Sequence, residues 1–167
     1  ALYILWENNT IADGSVVAPP LIQGETVYLG TANNQVLALD LVDGSVRWQY
    51  ETGHSIWGRM EYLDGTLYVN SLDKTLYAFD ADTGEVRWQR TFEGALAGHP
   101  VLVDETLFIA SFDRKLHALS AQDGVEQWAF DAQNWIWDSP AYDNGTVYFA
   151  DIDGNGVVDA LTDGMLL

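Results

Sequence analysis

Trp48, Trp88 and Trp128 stand forty residues apart, and Gly44, Gly84, Gly124 and Gly164 keep the same step without an insertion. No other property of the chain restricts its fold so tightly. A period of roughly 20 to 50 residues marks one supersecondary unit copied along the sequence, each copy unable to bury its apolar surface without its neighbours.

Laid over one another in steps of forty, the copies also align Thr26, Thr66, Thr106 and Thr146, then Tyr28, Tyr68, Phe108 and Tyr148, then Ala38, Ala78 and Ala118. Turn signals separate these markers. Gly24-Glu25, Asp64-Gly65, Asp104-Glu105 and Asn144-Gly145 precede one apolar run, and Asn33-Asn34, Asp73-Lys74, Asp113-Arg114 and Asp153-Gly154 follow it. In the second copy this predicts strands at residues 59–63, 66–71, 75–80 and 85–92, each rich in β-branched or aromatic residues. Val27-Tyr28-Leu29 and Leu67-Tyr68-Val69 are apolar on successive residues, so both faces of those strands must be covered, as when sheets stack face to face.

A radial stack of four-stranded antiparallel sheets meets these demands. The expected fold is all-β, a β-propeller with about 40 residues per blade. Blades are expected at about residues 17–56, 57–96 and 97–136, with a partial one at 137–167. A solenoid β-helix is the rival, but its coils are shorter and do not return through three tight hairpins before repeating.

Charge narrows the partners. Twenty-five Asp and Glu against seven Lys and Arg give a net charge of -18, which repels a phosphate backbone, so nucleic acid is set aside. An acidic surface suits a cation-rich exterior, where salt screens self-repulsion. The absence of Cys removes disulfides and thiolate metal sites, and no apolar run reaches the ~18 residues of a membrane span. The chain begins at Ala1 with no basic start ahead of an apolar stretch, so a secretion signal is absent, removed or lost upstream. An extracellular or periplasmic location is expected.

Residues 38–48 and 78–88 both follow the pattern A-x-D-x-x-x-G-x-x-x-W. Asp40 and Asp80 can tighten the turn by accepting backbone N–H bonds, Gly44 and Gly84 permit a positive φ, and Trp48 and Trp88 can lie over the neighbouring blade. The third copy keeps Gly124 and Trp128 but has Ser120 for Asp; the fourth has Ala160 there, and Trp is due one residue past Leu167. This pattern resembles the tryptophan-docking repeat of the pyrroloquinoline quinone (PQQ) family, strongly over about residues 17–136. The resemblance implies a propeller that serves quinone alcohol dehydrogenases, an outer-membrane assembly lipoprotein, or sensor and adhesion modules, and fold alone does not choose among them.

Quinone-binding members hold the cofactor at the propeller centre with a carboxylate base, calcium, an Arg, a stacked Trp and often a disulfide of adjacent cysteines. That disulfide is impossible here, and a complete enzyme ring would need about eight blades, near twice this chain. Arg59, His99 and Asp138-Ser139, read as part of each blade's first strand, are the candidates for central polar groups and are expected to be solvated or paired with one another. No catalytic residue is assigned, and the quinone is not expected. The three histidines, His54, His99 and His117, sit in different registers without the pairing a zinc site needs and are read as structural.

The loops entering each blade bring His54, Trp57, Trp135 and Trp137 to one rim, where a protein or glycan could stack; the alternative is that these rings plug space between blades. Near the end, Asp151, Asp153, Asn155, Val157 and Asp159 stand at the ligand spacing of a calcium loop with Gly156 at its sixth position, as in EF-hand-like or dockerin-like tails, and Asp163 lies beside the twelfth. The same residues also read as the hairpin turn of the sister copies. Calcium is preferred, because three added oxygens in register exceed what a turn requires.

Three full blades and part of a fourth would leave apolar faces and strand edges open. More chain, a second arc, or residues 2–6 must cover them, although Trp6 lies two residues out of step. A fragment of a seven- or eight-bladed ring ranks first. The expected function is a non-catalytic secreted or periplasmic module for protein or glycan binding, with a part of a quinone dehydrogenase and an outer-membrane assembly scaffold as alternatives.

Overall fold

Each forty-residue copy folds into one antiparallel sheet. The computed structural model describes residues 4–7, 15–151 and 159–162, the last four by backbone only. The first sheet contains β1 (Leu21–Gln23), β2 (Thr26–Gly30), β3 (Gln35–Asp40) and β4 (Val46–Glu51), and the second β5 (Glu61–Leu63), β6 (Thr66–Asn70), β7 (Thr75–Asp80) and β8 (Val86–Thr91). The third has β9 (Val101–Val103), β10 (Thr106–Ser111), β11 (Lys115–Ser120) and β12 (Glu126–Asp131). The fourth has three strands among the described residues, β13 (Ala141–Asp143), β14 (Thr146–Phe149) and β15 (Asp159–Thr162). Every strand pairs with its sequence neighbour, so each sheet is an up-and-down meander. Among the described residues no helix is long and apolar enough to cross a membrane.

The turns follow from their residues. Asp64-Gly65 and Asn144-Gly145 have positive φ at both positions, which gives a two-residue hairpin the twist of its flanking strands. In the outer hairpin, Asp40 and Asp80 each accept a hydrogen bond from the backbone N–H two residues on, and Gly44 and Gly84 turn at φ of 72° and 75°. A bulge then interrupts each outer strand at one register: Ala38 faces Trp48 while Leu39 faces Val46, and the two following sheets repeat this at Ala78 and Ala118. The extra residue re-aims the strand. In the first two sheets it is Arg47 or Arg87, whose guanidinium returns to Asp40 (2.7 Å) or Asp80 (2.6 Å); in the third, Gln127 stands with Ser120, and both members of the pair are changed together.

One apolar slab lies at each seam. Tyr28, Ala38 and Trp48 pack on Leu67, Val69 and Phe79; Tyr68, Leu76 and Ala78 share a cluster with Leu107, Ile109 and Leu119; Phe108, Leu116 and Ala118 share one with Val147 and Phe149. The other face of the first sheet, Val27, Leu37 and Leu39, is covered with the help of Trp6. Successive apolar residues thus serve opposite slabs, as their lack of alternation required.

The indoles join the sheets. The Trp48 ring lies on the Gly84 turn of the next sheet, where an added Cβ would meet it at 2.6 Å, and its Nε1 donates to the Ala81 carbonyl at 2.8 Å. Trp88 lies on Gly124 in the same way. Trp6, despite its offset, occupies the equivalent place on Gly44 and donates to Leu41 O at 2.9 Å, although residues 4–7 form no strand. Trp128 packs on Phe108, and Gly164, its expected seat, lies outside the described residues.

Candidate functional site

In each meander the segment that leads into the innermost strand, the middle hairpin and the end of the outermost strand fall at the same end. Nearly all the polar and aromatic residues singled out from sequence gather there. The docking residues Asp40, Gly44, Asp80, Gly84 and Gly124 belong to the opposite end and to the seams.

Arg59, His99, Asp138 and Ser139 stand just ahead of β5, β9 and β13 rather than within the inner strands as expected. Pairing starts at the same register in all three sheets, directly after Met60, Pro100 and Pro140, a position where proline's missing N–H costs the ladder nothing. The three lead-in segments pack backbone to backbone: a Cβ on Gly58 would lie 2.5 Å from Gly98 O, and one on Gly98 would lie 2.8 Å from Ser139 N. Around them is a cavity of about 420 Å3 lined by Pro19, Trp57, Arg59, His99, Asp138 and Ser139, among others.

The central polar groups are already engaged. Arg59 pairs with Glu61 at 2.6 Å. Ser139 Oγ accepts from His99 N at 2.7 Å and also meets His99 Nδ1, while Asp138 Oδ1 accepts from Ser139 N at 2.7 Å. Burial, assisted by the Arg59 charge, pushes the His99 imidazole below its usual range and favours the neutral ring. A neutral His99 with Nδ1 free can accept the serine proton, yet Asp138 is turned to the Ser139 amide rather than to the far ring nitrogen. A nucleophile needs its base oriented by a third group, and here the acid holds backbone; the pair pins two sheets together.

Beside the centre lies an aromatic platform. Ile56 and Ile136 point inward and are fully buried, whereas Trp57, Trp135 and Trp137 beside them point out. Trp135 and Trp137 are 53% and 50% exposed, and both stack on Phe112, at 6.0 Å and 19° and at 4.9 Å and 29°. Each indole therefore has a large part of its surface free. Trp57 is also exposed, at the mouth of the central cavity. His54 stands apart: its Nδ1 accepts from Ser55 N at 2.8 Å, and no ring contact joins it to the tryptophans among the described residues. Phe112 was missed from sequence. Its signal was available, because the equivalent positions forty and eighty residues earlier hold Leu72 and Ala32.

Of the candidate calcium ligands, Asp153, Asn155, Val157 and Asp163 lie outside the described residues, as does the side chain of Asp159. Asp151 is described, and its Oδ2 accepts from Asn134 N at 2.8 Å, next to Trp135. Among the described residues no cluster of three His, Asp or Glu side chains is arranged to hold a metal ion.

The sequence profile of the family described as outer membrane protein assembly factor BamB matches residues 3–56 and 54–167. No curated protein sequence gives a significant match. Among solved structures, BamB from Moraxella catarrhalis superposes with a TM-score of 0.82 at 22% identity, covering 96% of this chain and 50% of its own. The computationally designed protein Ika4 superposes with a TM-score of 0.83 at 13% identity, covering 97% and 99%. A quinohemoprotein alcohol dehydrogenase from Pseudomonas putida HK5 gives 0.75 at 22% identity, covering 88% and 30%. The chain thus spans half the length of the Moraxella protein, and these likenesses concern the fold.

Proposed function

The chain belongs to the family of the outer membrane protein assembly factor BamB, built on PQQ-like propeller repeats, and from that premise we propose that it is a non-catalytic, periplasmic binding module whose aromatic face holds a partner polypeptide. The observation that carries this reading is the platform: Phe112 sits beneath two half-exposed tryptophans on the face that also bears Trp57. Exposed aromatic rings fixed by packing supply contact area at low entropic cost. With a net charge of -18, nucleic acid is not the partner.

A quinone dehydrogenase is the weaker reading. The cavity's one arginine is neutralised by Glu61 and shares the space with Asp138, a poor fit for a polyanionic cofactor. Blades supplied by more of the same polypeptide or by a second copy would complete the ring. Calcium is proposed as a stabiliser of residues 151–163, where Asp151 already holds the loop that carries Trp135.

Titration of the protein with extended peptides rich in aromatic residues, read by tryptophan fluorescence, tests the binding role. W135A and W137A should weaken binding about tenfold each with melting nearly unchanged. Binding unaltered in both variants would refute the platform, and selective binding of oligosaccharides instead would assign the face to glycans. For calcium, the expected result is a rise in melting temperature with millimolar CaCl2 that EDTA reverses; identical melting in both would remove the ion.

A further inference from the structure

The forty-residue register lets one seam serve as the control for another. Between the first and second sheets, at the same end as the platform, the seam is aromatic: Tyr50 packs on Tyr77 at 5.7 Å and on Phe79 at 4.9 Å, with Val86 at its edge. Between the second and third sheets the residues forty positions on are Arg90 for Tyr50, His117 for Tyr77 and Glu126 for Val86. Three apolar or phenolic positions have become ionisable together. His117 is buried and Arg90 and Glu126 are partly so, and taking such groups out of water costs stability that the aromatic seam does not lose, so a structural reason alone is a poor account of them.

They border a cavity of about 850 Å3. Four of the chain's seven basic residues, Lys74, Arg90, Arg114 and Lys115, line it, in a protein whose net charge is -18. Three acids stand in the wall, and two are already used: His117 lies between Asp113 at 3.1 Å and Glu126 at 3.0 Å, and Arg90 also meets Glu126 at 3.0 Å, while Glu93 is in no ion pair among the described residues. Lys115 meets Asp131 at 3.5 Å. Lys74 and Arg114 are in no ion pair among the described residues, and Arg90 Nε is buried without a partner. Lys74 and Arg114 also sit at φ of 74° and 70°, a left-handed conformation that long side chains rarely adopt, where the first sheet has Asn34. Two unpaired cations thus occupy positions that asparagine would fill at lower cost.

We infer that this seam is a recognition site for the carboxylates of an acidic segment in the partner polypeptide, with Lys74 and Arg114 as the free cations at its mouth and Arg90 fixed behind them. The inference rests on the aromatic face being a protein-binding one; the middle hairpin that carries Phe112 also carries Asp113 and Arg114, so platform and cavity share one turn.

Calorimetry of the whole chain with acetyl-Glu-Gly-Glu-amide, and with its Gln-Gly-Gln counterpart, tests it. The acidic peptide should bind, and the amide peptide at least tenfold more weakly. The double variant K74N/R114N, which suits the backbone as Asn34 does, should keep or raise the melting temperature while losing about tenfold in affinity for the acidic peptide. Absence of binding, equal affinity for the two peptides, or unchanged affinity in the double variant would overturn the site, and inorganic phosphate competing better than glutarate would overturn its carboxylate chemistry. W135A should leave the acidic peptide's affinity intact, so failure of the platform and failure of this cavity give different patterns.

Discussion

Asp80 shows how much one carboxylate organises. The Arg87 guanidinium, then the hydrogen bonds from Thr83, hold its carboxyl at about 2, against an ordinary 3.8. A depressed folded value means that the stabilisation is complete above roughly pH 4 and is lost as the pH falls through about 2. Urea unfolding followed across that window should show a decline that D80N makes shallower, the remainder belonging to Asp40, Asp113 and Asp123, whose carboxyls are also held low; equal slopes in both proteins would deny the ion pair its role. Gly84 is the second informative residue, because an added Cβ would meet the Trp48 ring at 2.6 Å and φ is already 75°. G84A should cost about 2 kcal/mol or more from strain and displacement of the indole, and W48A about 3–5 kcal/mol, both measurable by chemical denaturation.

At the scale of the elements, the two unlike seams make opposite demands. Replacing Arg90, His117 and Glu126 by the Tyr, Tyr and Val of the preceding seam should raise the unfolding midpoint, since partly buried polar groups are exchanged for packed apolar ones. A lower midpoint would mean that the charges are structural. The sheets and most strand boundaries were legible because Thr26, Tyr28, Ala38 and their copies mark the register directly, and the Asp-Gly and Asn-Gly pairs mark the hairpins. The starts of the inner strands were not: pairing begins only after Met60, Pro100 and Pro140, and apolar patterning does not mark where a ladder starts. Of the site, Trp57, Trp135 and Trp137 were visible as excess aromatics in loops. Phe112 and the ionic seam were not, because aligning what the copies share hides what distinguishes them.

For the whole molecule, the arrangement is a row of nearest-neighbour contacts, and stability should be distributed accordingly. Amide exchange is expected to be slowest in β6, β7, β10 and β11, which have a sheet on both sides, and G84A should speed exchange in the first sheet before the third. Uniform acceleration along the chain would indicate a single cooperative block instead. Among the described residues the row has an open side: Tyr28, Tyr68 and Phe108 are buried, whereas Tyr148, at the same register, is 38% exposed. Trp6 shows what such a joint requires, for it seats on Gly44 from a segment that belongs to no strand. The link between blades is therefore a socket that grips one indole by its face and its N–H rather than an added strand, and a socket of that kind needs only a plug, not a sheet, from whatever chain presents it.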